Sequence, residues 1–218
     1  PGQLGNSLRV SVCPTTNAYS RTLSGTIDFT TNSAAVTGTT TQFSTQVAVG
    51  DILLAGPDRI EVKVASITNA TALTLQSKYT GNTSTGQTAV TRKWEFHNSF
   101  DGPPGTSAYA SVVGGSLDEM HIVVVDEDGR FTGVANNVLE RFSKVSKASD
   151  AKTTDGATNY YKNVINDQSQ YIWWASNLTG ATNIGNKAAG TNFGLGSQQA
   201  AINVSLVNGR DGATPQEA

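Results

Sequence analysis

Absences bound this chain before any motif does. It has one cysteine, Cys13, so no internal disulfide can staple the fold, which must rest on packing and backbone pairing. Charged residues make up 15% of its 218 residues, against roughly 25% in an average soluble domain. The net charge is −2, so no basic excess exists to neutralise phosphates, which argues against a nucleic-acid partner. No run of about 18 apolar residues reads as a membrane-spanning helix, and the first residues carry no signal-peptide pattern. The single methionine, Met120, lies mid-chain. Pro1 is then not a translation start, the polar end NGRDGATPQEA closes no element, and the chain reads as an excised piece of something longer.

What is abundant is Thr, Ser, Asn, Gln and Gly, a composition that suits β-strands joined by many turns. The length allows one large domain or two small ones with a real core. Four Asn-x-Ser/Thr sequons occur, at Asn69, Asn82, Asn177 and Asn203. A chain this rich in Thr and Asn supplies them by chance.

SLRVSVC alternates, with Leu8, Val10 and Val12 on one face and Ser7, Arg9 and Ser11 on the other, which predicts a half-buried strand stopped by Pro14. From about residue 23 to residue 97 short apolar pulses alternate with Gly, Thr and Asn, most cleanly in IEVKVASI. Five to seven short strands at this spacing predict a small antiparallel barrel or sandwich. The breaker DGPPG, Asp101 to Gly105, lies just beyond it. Met120 to Val125 predicts a strand buried on both faces. Val138 to Val145 fits a helical stripe or a strand, and the preceding turn and its β-branched residues favour a strand antiparallel to the first. NYYKNVINDQ predicts a helix with Tyr161, Val164, Ile165 and Gln168 on one face and Thr158 or Asn159 as N-cap. YIWWA, Tyr171 to Ala175, reads as a buried strand, residues 177–200 as a loop, and Ala201 to Val207 as a last strand. The expected fold class is α+β and strand-rich: a mixed sheet with one or two short helices, built from 1–22 and 98–218, plus an inserted small β-domain at 23–97.

DEDG, between two apolar runs, allows a metal loop, a pair of catalytic carboxylates or a hairpin bend. Asp126 and Asp128 supply two oxygen positions of a calcium loop, but Arg130 and Phe131 stand where further ligands belong. Asp128-Gly129 between apolar runs is the strongest short hairpin signal, and the stretch is read as a turn. Cys13, beside a strand and followed by Pro14, predicts an inert thiol. Neither His97 nor His121 accompanies a nucleophile signature, and two histidines with one cysteine lack zinc-ligand spacing. Gly194-Leu195-Gly196 lacks the flanks of a phosphate loop. Trp94, Trp173 and Trp174 could stack a sugar, but core roles are expected first. No catalytic, cofactor-binding or metal residue is expected, and the chain is expected not to be an enzyme.

Several stretches, taken in order, resemble the middle of a contractile tail sheath protein from a large tailed bacteriophage. These are PGQLGNSLRVSVC, DEMHIVVVDEDGRFTG with VLERFSKVSKASDAKTTDGATNYYKNVINDQSQYIWW, and VSLVNGRDG. The family's Leu-Ser-Gly-Gly-x-Asp-Gly is matched here by Leu206-Val207-Asn208-Gly209-Arg210-Asp211-Gly212. The resemblance covers residues 1–22 and 98–212; the 23–97 insert has only a generic likeness to small β-modules. It implies a structural subunit on the outer surface of the virion, assembled in the host cytoplasm. There hexameric rings of sheath subunits surround a tail tube and contract to drive it through the envelope. The family's terminal arms and tube-facing layer are not represented, so no family binding residue carries over. The isolated chain is expected to be monomeric, without a large contiguous apolar patch, since strand alternation turns Thr, Ser and Lys outward. The alternatives are a carbohydrate-binding or surface-adhesion β-module, motivated by the tryptophans, and a hydrolase using Cys13.

Overall fold

The computed structural model describes residues 3–175, 183–194 and 199–210. Asn177, the Leu195-Gly196 pair, and Asp211-Gly212 with the polar end lie outside the described residues. The alternating run forms β1 (Leu8–Cys13), followed by a single turn α1 (Thr16–Tyr19). Next come β2 (Ser20–Thr22), β3 (Thr26–Phe29), β4 (Ala35–Thr39) and a second short turn α2 (Phe43–Gln46). Then follow β5 (Ile52–Ala55), β6 (Ile60–Asn69), β7 (Ala72–Leu75), β8 (Ser84–Gln87) and β9 (Thr91–Lys93). The rest comprises α3 (Ala108–Val112), β10 (Glu119–Asp126), β11 (Asn137–Ser146), α4 (Tyr161–Gln168) and β12 (Ile202–Ser205).

The chain is strand-rich with few helical residues, as expected, and its strands form two sheets. The larger has the order β2-β9-β5-β6-β7-β4-β3-β8 and does not close into a barrel. Its bend lies in β6. Ile60 to Lys63 pair with β5, and Val64 to Asn69 pair with β7 through two register shifts. Such bulges bend a strand and raise its twist. The curled sheet wraps one core of Ile27, Phe29, Phe43, Leu53, Val64 and Tyr79, among others.

The smaller sheet has the order β11-β10-β1-β12. Every pairing between its strands is antiparallel, not mixed as expected. Parallel pairing is confined to isolated bridges such as Ser146 with Tyr160. Both faces of β10 are buried, because two layers flank it. Met120, Ile122 and Val124 meet Tyr161, Val164 and Ile165 of α4 on one side. Val123 and Val125 meet Cys13, Ala18, Trp94 and Phe96 on the other. Trp94 and Phe96 fall within 23–97 by sequence, yet they pack into this second core. The stretch before them, β9, pairs with β2 at residues 20–22, so the larger sheet also takes in residues that the sequence reading assigned to the other part.

Three local expectations are corrected. α4 forms where predicted, but its cap is Tyr160 with no side-chain cap bond. Thr158 Oγ1 instead accepts from the Tyr160 N–H at 3.3 Å, and Gln168 is exposed. YIWWA makes no strand: Tyr171, Ile172 and Trp174 lean on the core while Trp173 is 73% exposed. The strands β10 and β11 pair as foreseen, but the ladder ends at Asp126 and Asn137, leaving residues 127–136 as a wide loop. Asp126 causes this. Its Oδ2 accepts the Phe131 N–H (2.9 Å), the Thr132 N–H (2.7 Å) and the Thr132 hydroxyl (2.9 Å), folding the loop back on the carboxylate. Gly129 has the expected positive φ, +76°, and a Cβ there would lie 2.8 Å from the Ala135 nitrogen.

Candidate functional site

The acidic turn is used for loop anchoring. Desolvation pushes the Asp126 carboxyl upward, but hydrogen bonds from Thr132, Phe131 and Arg130 outweigh it and hold the group below the ordinary carboxylate range. Among the described residues no cluster of three or more His, Cys, Asp or Glu side chains could hold a metal.

One adjacency was invisible in the sequence. Cys13 and His121 stand directly opposite each other in the β1–β10 ladder, the placement a thiol–imidazole pair needs. Their surroundings prevent that use. The Lys144 N–H donates to His121 Nδ1 at 3.0 Å, and His121 Nε2 lies 2.8 Å from the Gly102 carbonyl, so both ring nitrogens are occupied. Burial lowers the imidazole pKa and pushes the Cys13 thiol up to about 12. A nucleophilic cysteine needs the opposite, a stabilised thiolate within reach of solvent.

The tryptophans divide. Trp94 is fully buried and its Nε1 donates to Ser11 Oγ at 2.9 Å. Its ring stacks on Phe100 at 5.5 Å and on His121 at 6.5 Å, a structural role. Trp174 is half-buried, with Lys162 Nζ 4.6 Å above its ring. Trp173 alone of the three points outward, and it borders an apolar concavity.

That concavity is a groove of about 420 Å³. Its floor is Val10, Val12, Ile202 and Val204 on β1 and β12, and its wall is Tyr171 to Ala175. Among the described residues α4 covers β10 and β11, while the same face of β1 and β12 is bordered by the irregular YIWWA segment and Ile184. Val204 and Val207 are 46% and 68% exposed. Alternation put β12's polar residues on the opposite face, toward Arg9 and Ser11, and turned its apolar residues to the groove.

Among the described residues the groove lies beside an unpaired sheet edge. Leu206 N–H donates to the Leu8 carbonyl at 2.8 Å, which sets the ladder phase. By the observed register, Val10 with Val204 and Val12 with Ile202 are the hydrogen-bonded pairs. The backbone groups of Asn203 and Ser205 consequently point away from β1, and β12 is the last strand on that side of the sheet. Their side chains are tied back: Asn203 Oδ1 accepts from the Ser11 hydroxyl at 2.5 Å and the Ser205 hydroxyl donates to Glu127 at 2.8 Å.

Two buried charges, Lys147 and Asp118, lie away from the groove. Lys147 is fully buried, its ammonium donating to the carbonyls of Pro14 (2.8 Å), Leu117 (2.8 Å) and Phe193 (3.4 Å). Asp118 accepts from the Ser107 N–H and hydroxyl and from the Ser146 hydroxyl. Both knit loops together. No described helix is long and apolar enough to cross a membrane. Comparison with protein-family models, curated proteins and solved structures finds no match to this chain.

Proposed function

We propose that this chain is a non-enzymatic structural part of a contractile phage tail sheath, on the outer surface of the virion. The observation that carries this reading is the half-covered smaller sheet. An open strand edge beside an apolar groove is a surface left for another segment to complete, as assembly subunits have and self-sufficient domains avoid. The order of the resembling stretches supports it: the Pro-Gly-x-Leu-Gly-Asn segment leads into β1, the acidic turn joins β10 to β11, and the Ser-x-Ala-x-Asp-Ala-Lys run precedes α4. On this reading the partners in the intact protein are other sheath subunits, arranged in hexameric rings around the tail tube, and the isolated chain stays monomeric. Antibodies raised against the chain, applied to virions of the phage that encodes it, are expected to decorate the whole tail, extended or contracted. Decoration confined to capsid or tail tip overturns the proposal.

A second reading, a carbohydrate-binding module, is favoured by one observation: Trp173 offers an open ring face at the mouth of the groove. A glycan array on which the wild-type chain and Trp173→Ala are equally silent removes it.

A further inference from the structure

Between the two sheets β9 carries Arg92 into a position with no solvent exposure. Four of its five guanidinium N–H groups donate to backbone carbonyls. Nε donates to the Gln46 carbonyl (3.0 Å), Nη1 to Ala18 (2.5 Å), and Nη2 to Asn17 (2.7 Å) and Gln199. These carbonyls come from α1, the end of α2 and the segment before β12, so one side chain joins the larger sheet to the elements around the smaller one. The carboxylate next to it, Asp51, is equally buried and lies 3.5 Å away, Nε to Oδ2, a poor distance for an ion pair in a dry site. Asp51 Oδ2 accepts the Ala48 N–H at 2.8 Å instead, while Oδ1 has no hydrogen-bond partner among the described residues. Arg92 thus does not depend on Asp51 for its hydrogen bonds, and Asp51 keeps one oxygen unengaged.

We propose that Asp51 is a proton-binding site built into this joint: the folded chain holds a proton on Oδ1 in mildly acidic solution and releases it to water as the pH rises, loosening the seam between the sheets. The groups facing the carboxyl are Arg92 and Glu95 from β9 and the segment after it, and Cys13 from β1. Glu95 is itself held by Arg9 at 3.0 Å and Lys63 at 2.6 Å. Burial pushes the Asp51 carboxyl up to about 7, with the Glu95 charge adding to the rise, against the downward pull of Arg92 and of the Ala48 and Glu95 backbone N–H groups. The folded value lies above that of the unfolded chain. Folding therefore takes up a proton across the window between an ordinary carboxylate value and about 7. The stabilisation is complete below that window and is lost as the pH rises through it.

The test compares thermal unfolding of the full chain and Asp51→Asn between pH 5 and pH 8, reading the difference so that other titrating groups cancel. The asparagine carries an uncharged amide where the carboxyl carries its proton. The wild type is expected to lose melting temperature relative to Asp51→Asn as the pH rises, with the two closest at the acid end. A constant offset between them at every pH overturns the proposal. The carboxyl carbon resonance of Asp51 in the wild type gives an answer that needs no variant. Titration near neutrality supports the site, and titration completed below pH 5 defeats it.

Discussion

The two sheets differ in how completely each covers itself. The larger curls around its own core, and of the nine exposed large apolar side chains among the described residues, Val49 is the one that falls within 23–97. The smaller is buried on one face by Trp94, Phe96 and Ala18, and on the other only as far as α4 reaches. Both are antiparallel, so strand direction does not explain the contrast. Coverage does. The bend in β6 brings the larger sheet's faces together, whereas the smaller sheet stays open and needs layers supplied from elsewhere in the chain. An element that borrows layers is the place to look for assembly contacts, and one that supplies its own is free to vary at the surface.

The comparison is broken most severely by removing the borrowed layer. Excising residues 23–97 takes Trp94 and Phe96 away, and the remainder is expected to be molten, binding hydrophobic dye without a cooperative transition. Excising 24–89 keeps the β2–β9 ribbon and both aromatics. Its ends already meet, with Leu23 N–H donating to the Val90 carbonyl at 2.9 Å, so a short Gly-Ser join is expected to leave cooperative unfolding. Equal behaviour of the two deletions removes the distinction between the sheets.

A single substitution asks the same question more gently. Trp94→Ala empties the centre of the shared layer and removes the donor to Ser11 Oγ, which keeps its own bond to Asn203, at an expected cost of about 3–5 kcal/mol in denaturant unfolding. Lys147→Met leaves three buried carbonyls without their donor, an expected loss of about 1–3 kcal/mol. It also carries a pH signature. Burial depresses the Lys147 ammonium from its ordinary 10.5 to about 8, so the unfolded chain holds more protons between those values. Wild-type stability from this group should rise with pH across that window, and the rise should vanish in Lys147→Met. At the small end, Trp173→Ala should change stability by no more than about 0.5 kcal/mol. A larger loss means that the ring packs against more than the groove wall.

Local pattern made β1, β6, β10, β11 and α4 legible, since period and turn chemistry act over a few residues. YIWWA failed because an unbroken apolar run reports burial without reporting whether the backbone pairs. The wide loop after β10 failed because a side chain, Asp126, claimed the N–H groups of Phe131 and Thr132 and folded the loop around itself. The Cys13–His121 adjacency depends on register between strands more than a hundred residues apart. The burial of Asp51, Arg92 and Lys147 depends on how whole layers stack. A charged letter in the sequence does not say which side of a protein it will occupy. The groove was missed for the same reason: β12 was read as a strand, but which of its faces would be covered is a property of the other elements.

The position of β1 has a consequence for synthesis. It precedes β2 to β12 in the sequence and is an interior strand of its sheet, yet its neighbours are β10 and β12. At ribosomal rates of about 5–20 residues per second, β1 waits several seconds for its first partner, while β2 to β9 can pair among themselves. The growing chain thus carries β1 unpaired beside a finished sheet, the order in which a nascent protein most needs a chaperone. Contacts this distant in sequence also make the smaller sheet the slow step of refolding.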